Sequence, residues 1–315
     1  MDMDRKKVLF IVNPASASQK TQERWEQSLP LIEKANFDYE VKFTKASGCA
    51  IKFATDASLQ QQFATIISVG GDGTANEVIN GMLNSQLPRN KLPNFTIFPS
   101  GTGSDSVRTL GIPKDLDGFL RLVETNVSKP IDVGIATYLT LGETEKARFF
   151  LNACDVGLGA TVAHTVNSMN QDSEKKSGKA KYFRSIMEQV FKFKPFSANY
   201  EASDECVEID KTVIIAICNG MFFGGGVKIS PVSKMNDGQL ELFATVDVSK
   251  LRLLELVSKV YSGSHVGHSK VQFSRDSHFK IQLKKPQLLE TDGEVCGVVS
   301  AVDFKVLPHA IEVLH

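Results

Sequence analysis

Short apolar runs alternate with segments of helical composition over residues 8–124. The runs at residues 8–12 and 64–69 have the length of a buried strand, and residues 20–34 have the composition of a helix. The pattern predicts strands at residues 8–12, 39–43, 64–69 and 95–98, and helices at residues 20–34, 49–57, 76–83 and 114–124. Such alternation is typical of a mostly parallel sheet with helices on both faces, so we expect a Rossmann-like α/β domain.

The pattern changes after about Asp132, where short β-like runs separated by turns predominate. Strands are predicted at residues 149–153, 197–202, 213–218, 239–245, 271–273, 279–283 and 301–306, and helices at residues 161–169, 180–193 and 250–261. This half predicts a mainly antiparallel β-sandwich domain. The chain has 315 residues, which suggests two domains at about 150 residues each. We place them at residues 1–132 and 133–315, with the last residues packing back on the first domain.

The balance of charges and the spacing of cysteines exclude some classes of protein. Lysine plus arginine and aspartate plus glutamate both number 36, so the chain lacks the basic excess of a protein that coats nucleic acid. No apolar run approaches the roughly 18 residues of a membrane span. The 5 cysteines are scattered and form no Cys-x-x-Cys pair, which is typical of reduced thiols. We expect a cytoplasmic protein.

A glycine-rich loop follows the predicted strand at residues 64–69. It reads Gly70, Gly71, Asp72, Gly73 and Thr74 and runs into a helical segment. Glycines let the backbone approach a ligand closely, and a helix start offers unpaired N–H groups to phosphate. A carboxylate there suits the magnesium that accompanies a nucleotide triphosphate. The alternative is an ordinary strand-to-helix turn capped by Thr74.

Two further loops follow predicted strands, at residues 98–105 and 13–18. The first supplies amides, hydroxyls and one carboxylate, and the second is followed by the cations Lys20 and Arg24. Each alone is equally typical of an ordinary turn. Three such loops at one edge of a parallel sheet favour a phosphate site. Neither a P-loop nor a Gly-x-Gly-x-x-Gly turn after the first strand is present.

An ordered set of motifs resembles the diacylglycerol kinase catalytic family, which includes sphingosine and ceramide kinases. The matching positions are Asn13-Pro14, residues 70–74 with Asn76 and Glu77, residues 99–103 with Asp105, residues 132–134, Pro231 with residues 236–238, and residues 292–294. The resemblance implies an ATP-binding α/β domain followed by a β-sandwich domain, and phosphorylation of a lipid hydroxyl in phospholipid metabolism. Ala17 and Ser104 depart from the pattern, at positions where relatives carry glycine and asparagine.

The resemblance also implies roles for single residues. Glu294 would be the general base, Asp72 and Asp105 would position magnesium and phosphate, and Asp132 would support the site. The residues implied for ATP are Asn13, Thr44, Gly70, Gly71, Asp72, Gly73, Thr74, Asn76, Glu77, Gly101 and Thr102. A structural Mg²⁺ would take the Asp237 side chain and the carbonyls of Lys234 and Gln239, although without the resemblance an Asn-Asp-Gly sequence favours a plain hairpin turn.

The implied partner is a lipid at a membrane surface, with peripheral membrane contact and a homodimer both open. Residues 175–194 are strongly basic and could meet an anionic lipid surface, although their pattern favours a helix packed on the β domain with solvated charges. Two alternatives remain. One is an NAD kinase-like enzyme, which shares the Gly-Gly-Asp-Gly-Thr loop, and the other is a non-catalytic lipid-binding or regulatory protein on the same fold.

Overall fold

The computed structural model describes residues 7–16, 20–100, 104–140, 145–171, 187–203 and 205–315. The chain forms two compact units. Unit 1 contains Met1–Val133 and Leu307–His315, and unit 2 contains Gly134–Val306. No helix in the described ranges is both long enough and apolar enough to cross a membrane.

Unit 1 is a parallel sheet with intervening helices. Its own strands are β1 (Lys7–Val12), β2 (Asp38–Phe43), β3 (Thr65–Val69) and β4 (Asn94–Ile97). Its helices are α1 (Lys20–Ile32), α2 (Cys49–Gln60), α3 (Asp72–Asn84), α4 (Asp105–Leu110) and α5 (Leu116–Thr125). The order runs β4-β3-β1-β2, and the end of the last strand of the chain adds to β4 in parallel, with Val313 opposite Phe95. The carboxyl ends of all these strands therefore meet at one edge.

Aromatic packing and a close helix contact fix unit 1 around that edge. Phe10 of β1 is fully buried, and its ring centroid lies 5.0 Å from that of Trp25 in α1. Gly81 of α3 lies so close to α2 that a Cβ there would be 2.2 Å from the carbonyl oxygen of Ile51. Since the two helices pack at backbone distance, the N-terminus of α3 has a fixed position.

Unit 2 is built from antiparallel strands. They are β5 (Ser128–Thr140, entering from unit 1), β6 (Glu145–Phe150), β7 (Ala153–Gly157), β8 (Phe196–Glu201), β9 (Cys206–Thr212), β10 (Ile214–Cys218), β11 (Leu240–Thr245), β12 (Val271–Asp276), β13 (His278–Thr291) and β14 (Glu294–Leu314, returning to unit 1). The order is β12-β11-β10-β7-β13-β14, with β8 and β9 added to β13, and β5 and β6 added to β14. The helices include α6 (Leu158–Gln171) and α7 (Lys250–Ser262), and residues 187–192 are also helical.

The α/β unit followed by antiparallel strands confirms the predicted fold class, but several boundaries differ. The single strand predicted at residues 149–153 is interrupted at residues 151–152. β6 ends at Phe150 and β7 begins at Ala153, because the amides of residues 151–153 turn to bind a carboxylate. Helix α3 begins four residues before its predicted start at residue 76, directly after the glycine pair. The short α4 and the largely polar β9 were not predicted.

Candidate functional site

The loops predicted to bind phosphate lie at the carboxyl edge of the unit 1 sheet. The amide of Asn13, directly after β1, donates to the carbonyl of Val69 at 2.9 Å, and the amide of Thr44, directly after β2, donates to that of Val12 at 2.8 Å. Val69 is the last residue of β3 and is followed by the glycine loop. Three of the predicted segments are therefore brought side by side.

Side chains and glycines shape the loop between β3 and α3. A Cβ at Gly70 would lie 2.4 Å from Oγ1 of Thr74, so no side chain fits there. The carbonyl of Gly70 accepts the Ser100 hydroxyl at 2.9 Å, and Thr74 Oγ1 accepts Nδ2 of Asn13 at 3.1 Å. Thr74 thus lies inside the helix and is not its cap, which is Gly71.

The start of α3 is open to a ligand. Gly71 is exposed, makes no side-chain cap, and has no atom within 4 Å of the position a Cβ would take. Asp72 and Gly73 are half-buried. The first amides of a helix carry no intrahelical partner and lie at the positive end of its dipole, so this turn suits a phosphate group.

Asp72 joins the first loop to the second. Its carboxylate accepts the Ser104 hydroxyl at 2.8 Å and the amides of Asp105 and Ser106, both at 3.0 Å. Ser104 also caps α4 by accepting the amide of Val107, so the departure from the family pattern at this position is part of the cap. The carboxylate therefore anchors the start of α4. The role of Asp72 in positioning magnesium stays a prediction. The predicted ATP contacts Gly101 and Thr102 lie outside the described residues, and so does Ala17.

The other two carboxylates predicted for unit 1 are buried and held by their own unit. Asp105 forms an ion pair with Arg108 at 2.7 Å. Asp132 is fully buried, and its Oδ1 accepts the amide of His309, in the returning part of β14, at 2.7 Å. Arg24, one of the two cations that follow the first loop, donates to the carbonyl of Pro99 at 3.1 Å.

Glu77 has a contact that the sequence did not indicate. Its carboxylate accepts the Ser47 hydroxyl at 3.1 Å and the amides of Gly48 and Ala50 at 2.8 and 3.2 Å. It therefore caps α2, whose N-cap Gly48 has a φ of 83° and offers no side chain. Asn76 is buried and bonded within α3. Because Glu77 lies far from the start of α2 in the chain, the sequence alone does not indicate that its carboxylate caps that helix.

In unit 2, Glu294 follows a tight turn between β13 and β14. Thr291 pairs with Glu294, and the two residues between them, Asp292 and Gly293, have φ values of 47° and 90°, as a type I′ hairpin requires. The Asp292 carboxylate binds the β6–β7 connection by accepting the amides of Leu151 at 2.6 Å, Asn152 at 2.8 Å and Ala153 at 3.1 Å. The turn is thus fixed from outside its own hairpin.

Glu294 itself is half-buried, and no side chain or amide in the described ranges binds its carboxylate. A carboxylate that is held in place through its backbone but free at its oxygens can accept a proton from a bound hydroxyl.

A buried carboxyl pair contacts this turn through Glu290, and the sequence did not indicate it. Asp155 of β7 and Glu290 of β13 are both fully buried and are cross-strand partners. Burial raises the pKa of Asp155 to about 6 and raises that of Glu290 well above its usual range. Oε2 of Glu290 accepts the amide of Gly293 at 2.5 Å. Both residues sit in apolar runs, so only the strand register brings them together.

The predicted magnesium loop lies before β11. One oxygen of Asp237 accepts the amide of Gln239 at 3.2 Å, and the other pairs with Arg275. Arg275 also approaches the buried Glu241 at 3.4 Å, so one cation faces two carboxylates. In the described ranges no three His, Cys, Asp or Glu side chains form a metal site, so an ion here would depend on the carbonyls of Lys234 and Gln239. Carboxylate and carbonyl oxygens with a net negative charge are the kind of ligand that fits Mg²⁺.

Two family models match successive parts of the chain. Residues 7–136 match the diacylglycerol kinase catalytic domain, and residues 152–315 match the YegS C-terminal NAD kinase beta sandwich-like domain. The chain is 25% identical over 298 residues to the diacylglycerol kinase of Bacillus subtilis, covering 93% of this chain and 91% of that protein. It is 28% identical over 270 residues to a probable YegS-like lipid kinase of Chromohalobacter salexigens, covering 84% and 80%.

Solved structures show the same fold. A putative diacylglycerol kinase from Bacillus anthracis superposes with a TM-score of 0.75 at 23% identity, covering 98% of this chain and 97% of that one. Yeast NADH kinase, complexed with NADH, gives a TM-score of 0.53 at 11% identity, covering 98% and 79%. The likeness to the NADH kinase is one of fold alone. With both halves matched in order, the chain belongs to the bacterial diacylglycerol kinase-like lipid kinase family and is an enzyme of that class.

Proposed function

We propose that the protein transfers the γ-phosphate of ATP to a hydroxyl of diacylglycerol or a related lipid, with Glu294 as the general base, in phospholipid metabolism. The observation that carries this proposal is the Glu294 carboxylate, fixed by a tight turn and unpaired in the described ranges. In the reaction the lipid oxygen bonds to phosphorus as the bond to ADP breaks, and the hydroxyl proton passes to Glu294.

The nucleotide half of the proposal rests on the loops of unit 1. The exposed start of α3 and the glycines before it supply amides for phosphate, and Asn13 and Thr44 lie beside them. Asp72 and Asp105 would hold the second loop in place around the phosphates, and Asp132 would support the sheet beneath. Magnesium carried with ATP would offset the phosphate charge.

A radiolabelled ATP assay with a panel of lipid hydroxyl acceptors tests the activity. Wild type is expected to label at least one lipid. Glu294→Gln is expected to keep its fold and its ATP affinity, but its kcat should fall by a factor of about 10²–10⁴, which is the usual contribution of a general base. Glu312→Gln, a change in unit 1, serves as the matched control. Full turnover in Glu294→Gln would refute the base. NAD in the same panel tests the NAD kinase-like alternative that the shared fold suggests. Labelling of NAD without labelling of any lipid would favour that alternative over lipid phosphorylation.

We also propose that the protein works peripherally on a lipid surface through α7. One side of this helix exposes Leu251 by 81%, Tyr261 by 58% and Val257 by 39%. Lys250 and Arg252 flank the most exposed of these side chains, and Arg252 also pairs with Glu255 at 2.5 Å. An apolar strip with basic neighbours complements an anionic membrane. Of the basic residues predicted for this role at 175–194, most lie outside the described residues, and Lys192 pairs with Glu188.

Sedimentation with vesicles of phosphatidylcholine, with and without phosphatidylglycerol, tests this surface. Wild type is expected to bind the anionic vesicles, and Leu251→Ser with Tyr261→Ser to bind weakly. Equal binding by both proteins would overturn the assignment. A dimer in solution that the double variant dissociates would instead assign the strip to a second copy of the chain.

A further inference from the structure

Asp155 and Glu290 form a pair that the proposed chemistry does not use. They face each other across the antiparallel pairing of β7 and β13, where directly opposed Cβ atoms lie about 5 Å apart. Neither residue exposes any surface. Two buried carboxylates at this distance cannot both be ionised without a large cost, since their charges repel in a medium of low dielectric constant.

The hydrogen bonds of the pair leave one oxygen of each side chain without a donor. Oδ1 of Asp155 accepts the amide of Ala160 at 3.0 Å, and Oε2 of Glu290 accepts the amide of Gly293 at 2.5 Å. Oδ2 of Asp155 and Oε1 of Glu290 are buried, and no donor in the described ranges reaches either. A Cβ at Gly159 would lie 2.5 Å from Oδ2 of Asp155, which leaves no room for a side chain there. A single proton between the two oxygens satisfies both.

The surroundings oppose a second negative charge on the pair. The titratable groups that act on it are Cys154 of β7, Cys218 of β10 and Asp292 of the turn. Burial raises the pKa of both thiols, so they stay neutral. Helix α6, which packs on β7 and β13, has no Asp, Glu, Lys or Arg, and its His164 is exposed. It contributes backbone amides, and these stabilise one negative charge.

We propose that Asp155 and Glu290 share one proton, and that the protonated pair is a positioning element for the turn that carries Glu294. Glu290 holds the amide of Gly293, the residue directly before Glu294. Asp155 in turn fixes Glu290 from the next strand and is itself held by the start of α6. The inference rests on the proposed function in one respect, which is that Glu294 is the base whose position matters.

Shared protonation has a definite sign in its effect on stability. The unfolded carboxyls would titrate near their ordinary pKa of about 4, whereas the folded pair keeps its proton to higher pH. Since the folded state then binds more protons, the contribution of the pair is greatest below about pH 4 and falls as the pH rises through about 6 and beyond. A substitution that supplies a permanent proton removes this loss.

Glu290→Gln is that substitution, because its amide oxygen can accept from Gly293 while its NH₂ donates to Asp155. Asp155→Asn makes the reciprocal replacement, and Glu290→Leu removes both bonds at similar volume. Thermal unfolding between about pH 5 and pH 9 is expected to show the Tm of wild type falling relative to that of Glu290→Gln and Asp155→Asn. Parallel curves would overturn the shared proton, and this measurement needs no activity.

Kinetics at neutral pH test the positioning. Glu290→Gln is expected to keep kcat within about threefold of wild type, and Glu290→Leu to lose about tenfold or more in kcat with KM for ATP unchanged. A Glu290→Gln as impaired as Glu290→Leu, or a Glu290→Leu with the wild-type kcat, would refute the role. If wild type labels no lipid, the proposed function fails while the pH dependence of Tm still decides whether the proton is shared.

Discussion

The carboxylate of Asp72 accepts the backbone amide of Asp105 at 3.0 Å, so the residue that opens α3 also holds the first residue of α4. Two loops that follow different strands are therefore joined by one side chain. A carboxylate at the start of a helix satisfies amides that would otherwise lack a partner and interacts favourably with the helix dipole. Any ligand of the first loop thus depends on the geometry of the second.

Replacing Asp72 separates this anchoring from work on the nucleotide. Asp72→Ala removes three hydrogen bonds to a charged acceptor and is expected to lower the free energy of unfolding by about 3 kcal/mol. Asp72→Asn retains Oδ1 for Ser104 and Ser106 and should lose only about 1 kcal/mol. Urea unfolding and KM for ATP are the measurements, and KM should rise with the loss of stability. An Asp72→Asn that is stable but no longer uses Mg-ATP would instead assign the carboxylate to magnesium.

The two adjacent glycines of the same loop should respond differently to alanine. A methyl group at Gly70 would press on Thr74, so Gly70→Ala is expected to cost about 1–3 kcal/mol of unfolding free energy. Gly71 has a φ of −92° and open space around it, so Gly71→Ala should change stability by less than about 0.5 kcal/mol. It should nevertheless raise KM for ATP, because the methyl group occupies the exposed approach to α3. An unchanged KM in Gly71→Ala would exclude phosphate from this turn.

Asp292 should matter for both stability and turnover. Asp292→Ala leaves the amides of residues 151–153 without their acceptor, and we expect a loss of about 2–4 kcal/mol with a fall in kcat. Asp292→Asn keeps the Oδ1 acceptor and tolerates a positive φ, so its unfolding free energy and its kcat should lie between those of the alanine variant and wild type. KM for ATP should not change, because the loops that we propose for ATP belong to unit 1. A normal kcat in a folded Asp292→Ala would show that the turn needs no such anchor.

Magnesium binding at Asp237 can be measured without nucleotide. Mg²⁺ at a hundredfold excess over its Kd is expected to stabilise wild type by about 2.7 kcal/mol, seen as a higher Tm. Asp237→Asn should lose this increment. Asp247→Asn is the matched control, since it also removes an aspartate paired with a cation in unit 2. The same increment in Asp237→Asn as in wild type would refute the site.

The sequence predicted those features that depend on local chemistry. Apolar runs located β1, β3 and β4, and glycines marked the loop at Gly70, because a strand buried on both faces and a turn of close approach each restrict residue type locally. The short α4 was missed because its cap is completed by Asp72 from another loop. The pairing of Asp155 with Glu290 was missed because it depends on strand register, which the sequence of either strand alone does not specify. The predicted ATP contact of Glu77 stays a prediction, and its contact with the start of α2 was missed because it depends on helix packing.

The return of the chain to unit 1 in β14 affects how the protein can be synthesised. Val313 pairs with Phe95, and the amide of His309 donates to the buried Asp132, so the sheet of unit 1 gains a strand from residues that are translated after unit 2. Domains usually fold in the order of translation, from the N-terminus. Here unit 2 has all of its residues before unit 1 does. Until the end of β14 has been translated, the edge of β4 in the nascent sheet is therefore uncovered, and a chaperone or another nascent chain can bind there.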